Sequence, residues 1–134
     1  MAEVMAGTMP ATVGKGKNIT LWVIQVLLAA MFLMAGASKL AGAAPMVQMF
    51  GTLGLGQWFR YFTGALEVLA AIFLLIPGRA IIGAALLVAV MIGAVLTHLL
   101  VVHTSPAMPL VLLVLALIVV WGRQRQIAAF QRGR

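Results

Sequence analysis

Four long apolar runs divide this chain, separated by short stretches in which polar residues, glycines and prolines gather. The first run begins at Ile19 and continues to Lys39, so residues 19–39 are predicted to form a membrane-crossing helix with Asn18 as its N-cap. Residues 41–56 then bring Gly42, Pro45, Gly51, Gly54 and Gly56. Met46, Met49, Phe50 and Leu53 fall on one helical face there, which predicts a short helix at the interface or re-entering the bundle. A second crossing is predicted over 57–76, closed by the Pro77-Gly78-Arg79 turn. So short a turn makes the third helix, 80–101, its antiparallel neighbour. His103, Thr104, Ser105 and Pro106 break the pattern, with Ser105 as N-cap and Pro106 at the first helical position. The fourth helix runs to Trp121 and is somewhat short of the ~20 residues that span a bilayer.

These elements predict an all-α fold: an integral membrane four-helix bundle with a short interfacial segment between helices one and two. A tail of residues 1–18 precedes the bundle at 19–122, and a basic tail of 123–134 follows it. A cleavable signal is the competing reading of the first run, since Ala35-Gly36-Ala37 resembles a cleavage site. That run, however, exceeds the ~7–15 apolar residues of such signals.

Composition agrees with a lipid environment. Hydrophobic residues make up 64% of the chain and charged ones 8%, more apolar surface than one soluble core of this length can hide. The absence of cysteine excludes disulfides and dithiol redox chemistry carried by the chain itself. The net charge of +7 does not point to nucleic acid, because the basic residues stand at the ends of apolar runs. Lys15, Lys17, Arg79, Arg123, Arg125, Arg132 and Arg134 fall on one side, against Lys39 and Arg60 on the other. The positive-inside rule therefore places both termini in the cytoplasm. Trp22 and Trp121 would mark the inner interface, and Trp58 and Tyr61 the outer one. The basic tail, with Ile127 and Phe130, suits a surface helix on anionic lipid.

One residue violates the apolar pattern. Only two acids occur, Glu3 in the tail and Glu67 inside the second run. Ten residues at ~1.5 Å each put Glu67 ~15 Å below Gln57, near the middle of a ~30 Å core. A charge there costs roughly 2.5–3.5 kcal/mol, so it should face the bundle interior and have a partner. Arg60, Thr63, Gly64, Glu67 and Ala71 share one face, which should look inward. Helical side chains lean toward the amino end of their own helix, so Glu67 leans outward while Lys39 and His98 lean back into the membrane to meet it. Arg60 leans toward the interface and is expected to snorkel there, ranking third as a partner. Burial favours the neutral acid, whereas a neighbouring cation favours the carboxylate. The pair is accordingly read either as a clamp fixing bundle register or as part of a site for binding or proton handling.

Other chemistry is weaker. His98 and His103 are separated by a helix break and make no ready-made metal or haem pair, so no metal is expected. His103 is read as an exposed loop residue. Ala85, Ala89, Gly93 and Thr97 form a small-residue ridge along which a helix of this or another subunit could approach closely. The scattered methionines read as adaptable packing.

The order of Gly36-Ala37-Ser38-Lys39, then Phe50 and Gly54-Leu55-Gly56, then Gly64-Ala65-Leu66-Glu67 and Leu74-Leu75-Ile76-Pro77-Gly78-Arg79 resembles the DoxX-like family of small four-helix bacterial membrane proteins. The likeness spans about residues 19–122, and Lys39 and Glu67 are the positions that carry over; His98 rests on geometry alone. The resemblance implies a bacterial inner-membrane location and a link to redox complexes, with thiosulfate oxidation and quinone as acceptor in the subunit that names the family. Three functions follow as expectations. The first is an accessory subunit of a larger redox or energy-converting membrane complex, which packs against other membrane subunits or copies of itself and holds a quinone or lipid near Lys39, Glu67, His98 and, secondarily, Arg60. The second is a catalytic quinone-reducing subunit, and the third a transporter or channel for protons or a small solute.

Overall fold

A computed structural model describes residues 14–132, with side chains described to residue 128. The described helices are α1 (Lys15–Ala41), α2 (Ala44–Leu53), α3 (Gln57–Leu75), α4 (Ala80–Thr97), α5 (Ala107–Gly122) and α6 (Arg125–Arg132). A π-helical turn, His98–Val102, continues α4. Helix α1, helix α3 and α4 with its π turn are long and apolar enough to cross a membrane, and α5 is a shorter apolar helix. The fold is thus the expected all-α membrane bundle, and α2 is the short helix foreseen between its first two crossings.

Helix α1 packs on α3, α3 on α4 and α4 on α5, and α5 closes the ring against α1. Lipid tails are as apolar as leucine, so close van der Waals fit must hold such helices together. Small residues provide that fit. Ala70, Ala71, Ala84 and Ala116 are buried among Leu28, Phe32, Leu74, Leu87 and Val119. At Gly83 an added Cβ would collide with the Ala70 carbonyl oxygen, so α3 and α4 touch backbone to backbone. Large apolar residues such as Leu27, Met34, Leu69, Leu96 and Val111 remain exposed on the outside, where lipid solvates them.

Three local expectations change. Helix α1 starts at Lys15 with Gly14 as N-cap, a turn before the expected start, and Asn18 lies inside the helix. Its side-chain oxygen accepts a bond from Arg123 Nη1 at 2.8 Å instead of capping a helix end. Ser105 does take up a free N–H, that of Ala107 at 3.2 Å, but Pro106 is the boundary residue rather than the first helical one. The ridge on α4 makes its close contact elsewhere: Ala85, Ala89 and Gly93 are exposed, and a Cβ on Gly93 would meet nothing within 4 Å. Within the chain, Gly83 on another face of α4 supplies the close approach. Glu3 and the rest of residues 1–13 lie outside the described residues, as do the side chains of Phe130, Arg132 and Arg134.

Candidate functional site

Two glycines bring α1 and α3 together. A Cβ on Gly36 would stand 2.8 Å from the Gly64 carbonyl oxygen and 2.7 Å from Val68 Cγ2, and one on Gly64 would stand 2.9 Å from Lys39 Cβ. Either side chain would push the helices apart. Lys39 and Glu67 follow these glycines by three residues, and because α1 and α3 run antiparallel those steps lead to opposite sides of the glycine contact, so the side chains meet across it, Lys39 Nζ lying 2.8 Å from Glu67 Oε1. The carboxylate is 2% exposed and the lysine 14%, so the acid sits in the interior while the ammonium keeps some access to its surroundings. Each Gly-x-x-ion segment therefore combines a contact with a charge. The glycine sets the helix separation, and the charge uses it.

Arg60 departs from expectation. It does not snorkel; it is 4% exposed, and its Nε donates to Gln57 Oε1 at 2.7 Å. Its Nη1 donates to the backbone carbonyl of Lys39. The last carbonyls of a helix have no intrahelical partner and carry the negative end of its dipole, and a planar guanidinium suits that acceptor better than interfacial water does here. Gly42 (φ 75°) turns the chain out of α1 beneath it, and Gly42 N–H and Ala43 N–H return to the Lys39 and Ser38 carbonyls. Arg60 thus fastens the end of α1 that carries Lys39, and helps place the pair without touching the carboxylate.

His98 opens the π-helical turn. Its Nδ1 lies 2.7 Å from Thr104 Oγ1, and its carbonyl accepts the Thr104 N–H at 2.9 Å. Such turns are rare and frequent at functional positions. His103 ends the turn in the left-handed region at φ 56° and is exposed.

Lys39, Glu67 and His98 all line one cavity of about 660 Å³. Thr63, Thr97 and Ser105 add polar groups, while Phe32, Met46, Met49, Phe50, Phe59, Phe62, Leu66 and Met91 supply apolar and aromatic walls. Helix α2 forms part of the wall, held by the tilted Phe50–Phe59 ring contact at 5.8 Å. Phe62, Gly93 and Met108 are exposed members of the lining, so the cavity opens at the surface of the bundle.

The opposite end holds a second polar group that sequence reasoning missed. Gln25 is fully buried in α1; its Nε2 donates to the Leu74 carbonyl at 2.8 Å, and its Oε1 accepts from Arg123 Nε at 2.7 Å. Arg123 is 8% exposed, and its Nη1 goes to Asn18. Gly122 permits this, because a Cβ there would come within 2.5 Å of Leu21 Cδ2. A signal was present in Asn18 and Gln25, two amides seven residues apart on one face of an apolar helix. Arg123 itself, read as one of several interfacial charges, gave none.

The profile of the DoxX-like family matches residues 23–120. No curated protein and no solved structure matches the chain.

Proposed function

We propose that this chain, which belongs to the DoxX-like family, is a small integral subunit of a larger redox or energy-converting membrane assembly, and that its cavity holds the head of a quinone or of a lipid of similar size. The observation that supports this reading is the cavity itself, about 660 Å³ with the Lys39–Glu67 pair and His98 on its wall. Its volume falls in the ~300–1,000 Å³ range of small-molecule sites, and its walls are mostly apolar with a few convergent polar groups, as such sites require.

The donor set fits a carbonyl-bearing ring. An ammonium has three hydrogens to donate, so Lys39 can serve Glu67 and still offer a hydrogen bond to a ligand oxygen. His98 offers a second donor or acceptor across the cavity, and the phenylalanines and methionines suit the faces of a planar ring. A quinone bound there would supply two-electron acceptor chemistry to the assembly. The chain has no cysteine to carry dithiol electron transfer, which favours a subunit role over catalysis alone. Buried Leu28, Phe32, Leu74 and Leu87 pack the neighbouring interior and weigh against a continuous pore. With both termini in the cytoplasm of a bacterial inner membrane, the cavity would lie toward the outer face.

Mild detergent extraction from the native membrane, followed by sizing and mass spectrometry of bound lipophiles, tests this reading. A larger assembly carrying a quinone or lipid is expected; an isolated, ligand-free monomer would sink it. Gly93→Leu is the companion variant, since it adds volume at the cavity wall where a Cβ meets no neighbour. The expected outcome is loss of the bound lipophile with the bundle intact.

A further inference from the structure

Arg123 poses a problem that the described residues do not solve. Its Nε and Nη1 are bound to Gln25 and Asn18, but its Nη2 is buried without a hydrogen-bond partner. Both partners are neutral amides. Among the described residues the one acid is Glu67, and that carboxylate is paired with Lys39 at the other end of the bundle. A buried guanidinium held only by neutral groups leaves its charge uncompensated, which is costly in a low-dielectric surrounding. The Trp22 ring, 5.7 Å from the Arg123 Cζ, adds attraction but no counter-charge.

The same residues border space. A second cavity, about 210 Å³, is lined by Asn18, Trp22, Gln25, Gly78, Arg123 and Gln126, with the 76–80 turn as its further wall. At ~30 Å³ per water-sized group this admits a tetrahedral oxyanion with part of its hydration. The donor is preorganised: Gln25 is anchored to the Leu74 carbonyl, and Asn18 grips the guanidinium from two turns earlier in α1. Gln126 is fixed as well, accepting the Ile81 N–H at 3.0 Å. Lys17, over the Trp121 ring at 4.1 Å, adds positive charge at this end of the bundle.

We propose that Arg123, oriented by Gln25 and Asn18, forms a binding site for a phosphate oxyanion, with Nη2 as the donor reserved for it. A phosphate is the chemistry selected, because its oxygens accept the charge-assisted bonds of an arginine fork and its charge neutralises the buried cation. At the end of a membrane bundle that phosphate can arrive on a phospholipid or free in solution. The site is independent of the Lys39–Glu67 cavity and stands whatever occupies that one.

The test uses the full chain, purified in a neutral detergent and stripped of lipid. Its thermal midpoint and native mass spectrum are followed against phosphatidylglycerol and, separately, inorganic phosphate. Stabilisation by phosphatidylglycerol alone identifies a lipid phosphate, and stabilisation by both identifies a site open to the free anion; either supports the proposal if it depends on Arg123. Arg123→Gln should weaken binding roughly tenfold or more, the loss of a charge-assisted bond. Arg134→Gln, which removes the same charge from the tail, should leave it unchanged. Because Arg123→Gln could disturb folding, Asn18→Asp provides a second route. It keeps the acceptor for Nη1, supplies an internal counter-charge, and should raise the stability of the stripped protein while abolishing its response to either probe. Equal responses in the parent, Arg123→Gln and Asn18→Asp proteins would overturn the proposal. So would a parent protein that takes up neither probe until Glu3 is replaced by Gln, since that would make a carboxylate of the chain the occupant.

Discussion

At one end of the bundle Lys39 meets Glu67 at 2.8 Å beside a cavity of about 660 Å³; at the other, Arg123 is gripped by two amides beside a cavity of about 210 Å³. The helices cross closely at both ends, with Gly36 against Gly64 in one case and Gly122 against Leu21 in the other. What differs is the source of the balancing charge. The pair is complete in itself, so its cavity can accept a neutral, largely apolar guest without disturbing the electrostatics. The arginine end is a cation with hydrogen bonds but no counter-charge among the described residues, and it calls for an anionic guest. A bundle of this size thus offers two chemically distinct environments, and a glycine makes room for each, against backbone at Gly36 and Gly64 and against the Leu21 side chain at Gly122.

The contrast can be broken most forcefully at the pair. Lys39→Met strands a buried carboxylate and should cost about 3–5 kcal/mol, read as a lower midpoint in denaturing-detergent unfolding. The double variant Lys39→Met with Glu67→Leu should recover most of that loss, since an apolar replacement of a buried pair is often close to neutral. Failure of the double variant to recover would show that the pair does more than compensate itself. Gly64→Val comes next. It forces a side chain into the Gly36 backbone and should cost about 2–3 kcal/mol by overpacking, while a cross-link placed between α1 and α3 reports their separation.

A smaller loss, about 1–2 kcal/mol, is expected for Gln25→Leu, which leaves both Arg123 Nε and the Leu74 carbonyl without their partner. The same midpoint measurement reads it, and saturating phosphatidylglycerol should recover part of the loss if an anion steadies the arginine. Gly93→Ala should have the smallest effect and the opposite sign. Its Cβ meets no neighbour, so reduced freedom of the unfolded chain should stabilise the helix by about 0.4–1 kcal/mol. Set beside Gly64→Val, it separates a glycine required for helix approach from one that merely lines a cavity.

Much of this molecule is legible in its sequence. Glu67 interrupted an otherwise apolar run, and the lean of helical side chains named Lys39 as its partner. The same reasoning failed for Arg60, because the direction in which a long side chain leaves its helix does not reveal which helix-end carbonyl lies nearby. It passed over Arg123, because a positive residue at a helix end has a sufficient explanation in lipid and topology. The small-residue ridge is read as a place where a helix of this or another subunit approaches, yet the close approach within the chain falls at Gly83, as spacing along one helix cannot say which face its neighbour occupies.

The sequence alone determined the number and approximate extents of the apolar helices, the presence of a short helix between the first two, and the need of Glu67 for a partner. All of these rest on short-range regularities: the 3.6-residue period, the length of a hydrocarbon core, and the cost of a charge within it. Only the tertiary structure decided that Arg60 fastens the end of α1, that Arg123 is buried against Gln25 and Asn18, and that a cavity opens on each side of the packed centre. Those outcomes depend on where helices distant in sequence cross. The crossing is set by glycine and alanine contacts whose partners lie up to a hundred residues away in the chain, as between Leu21 and Gly122.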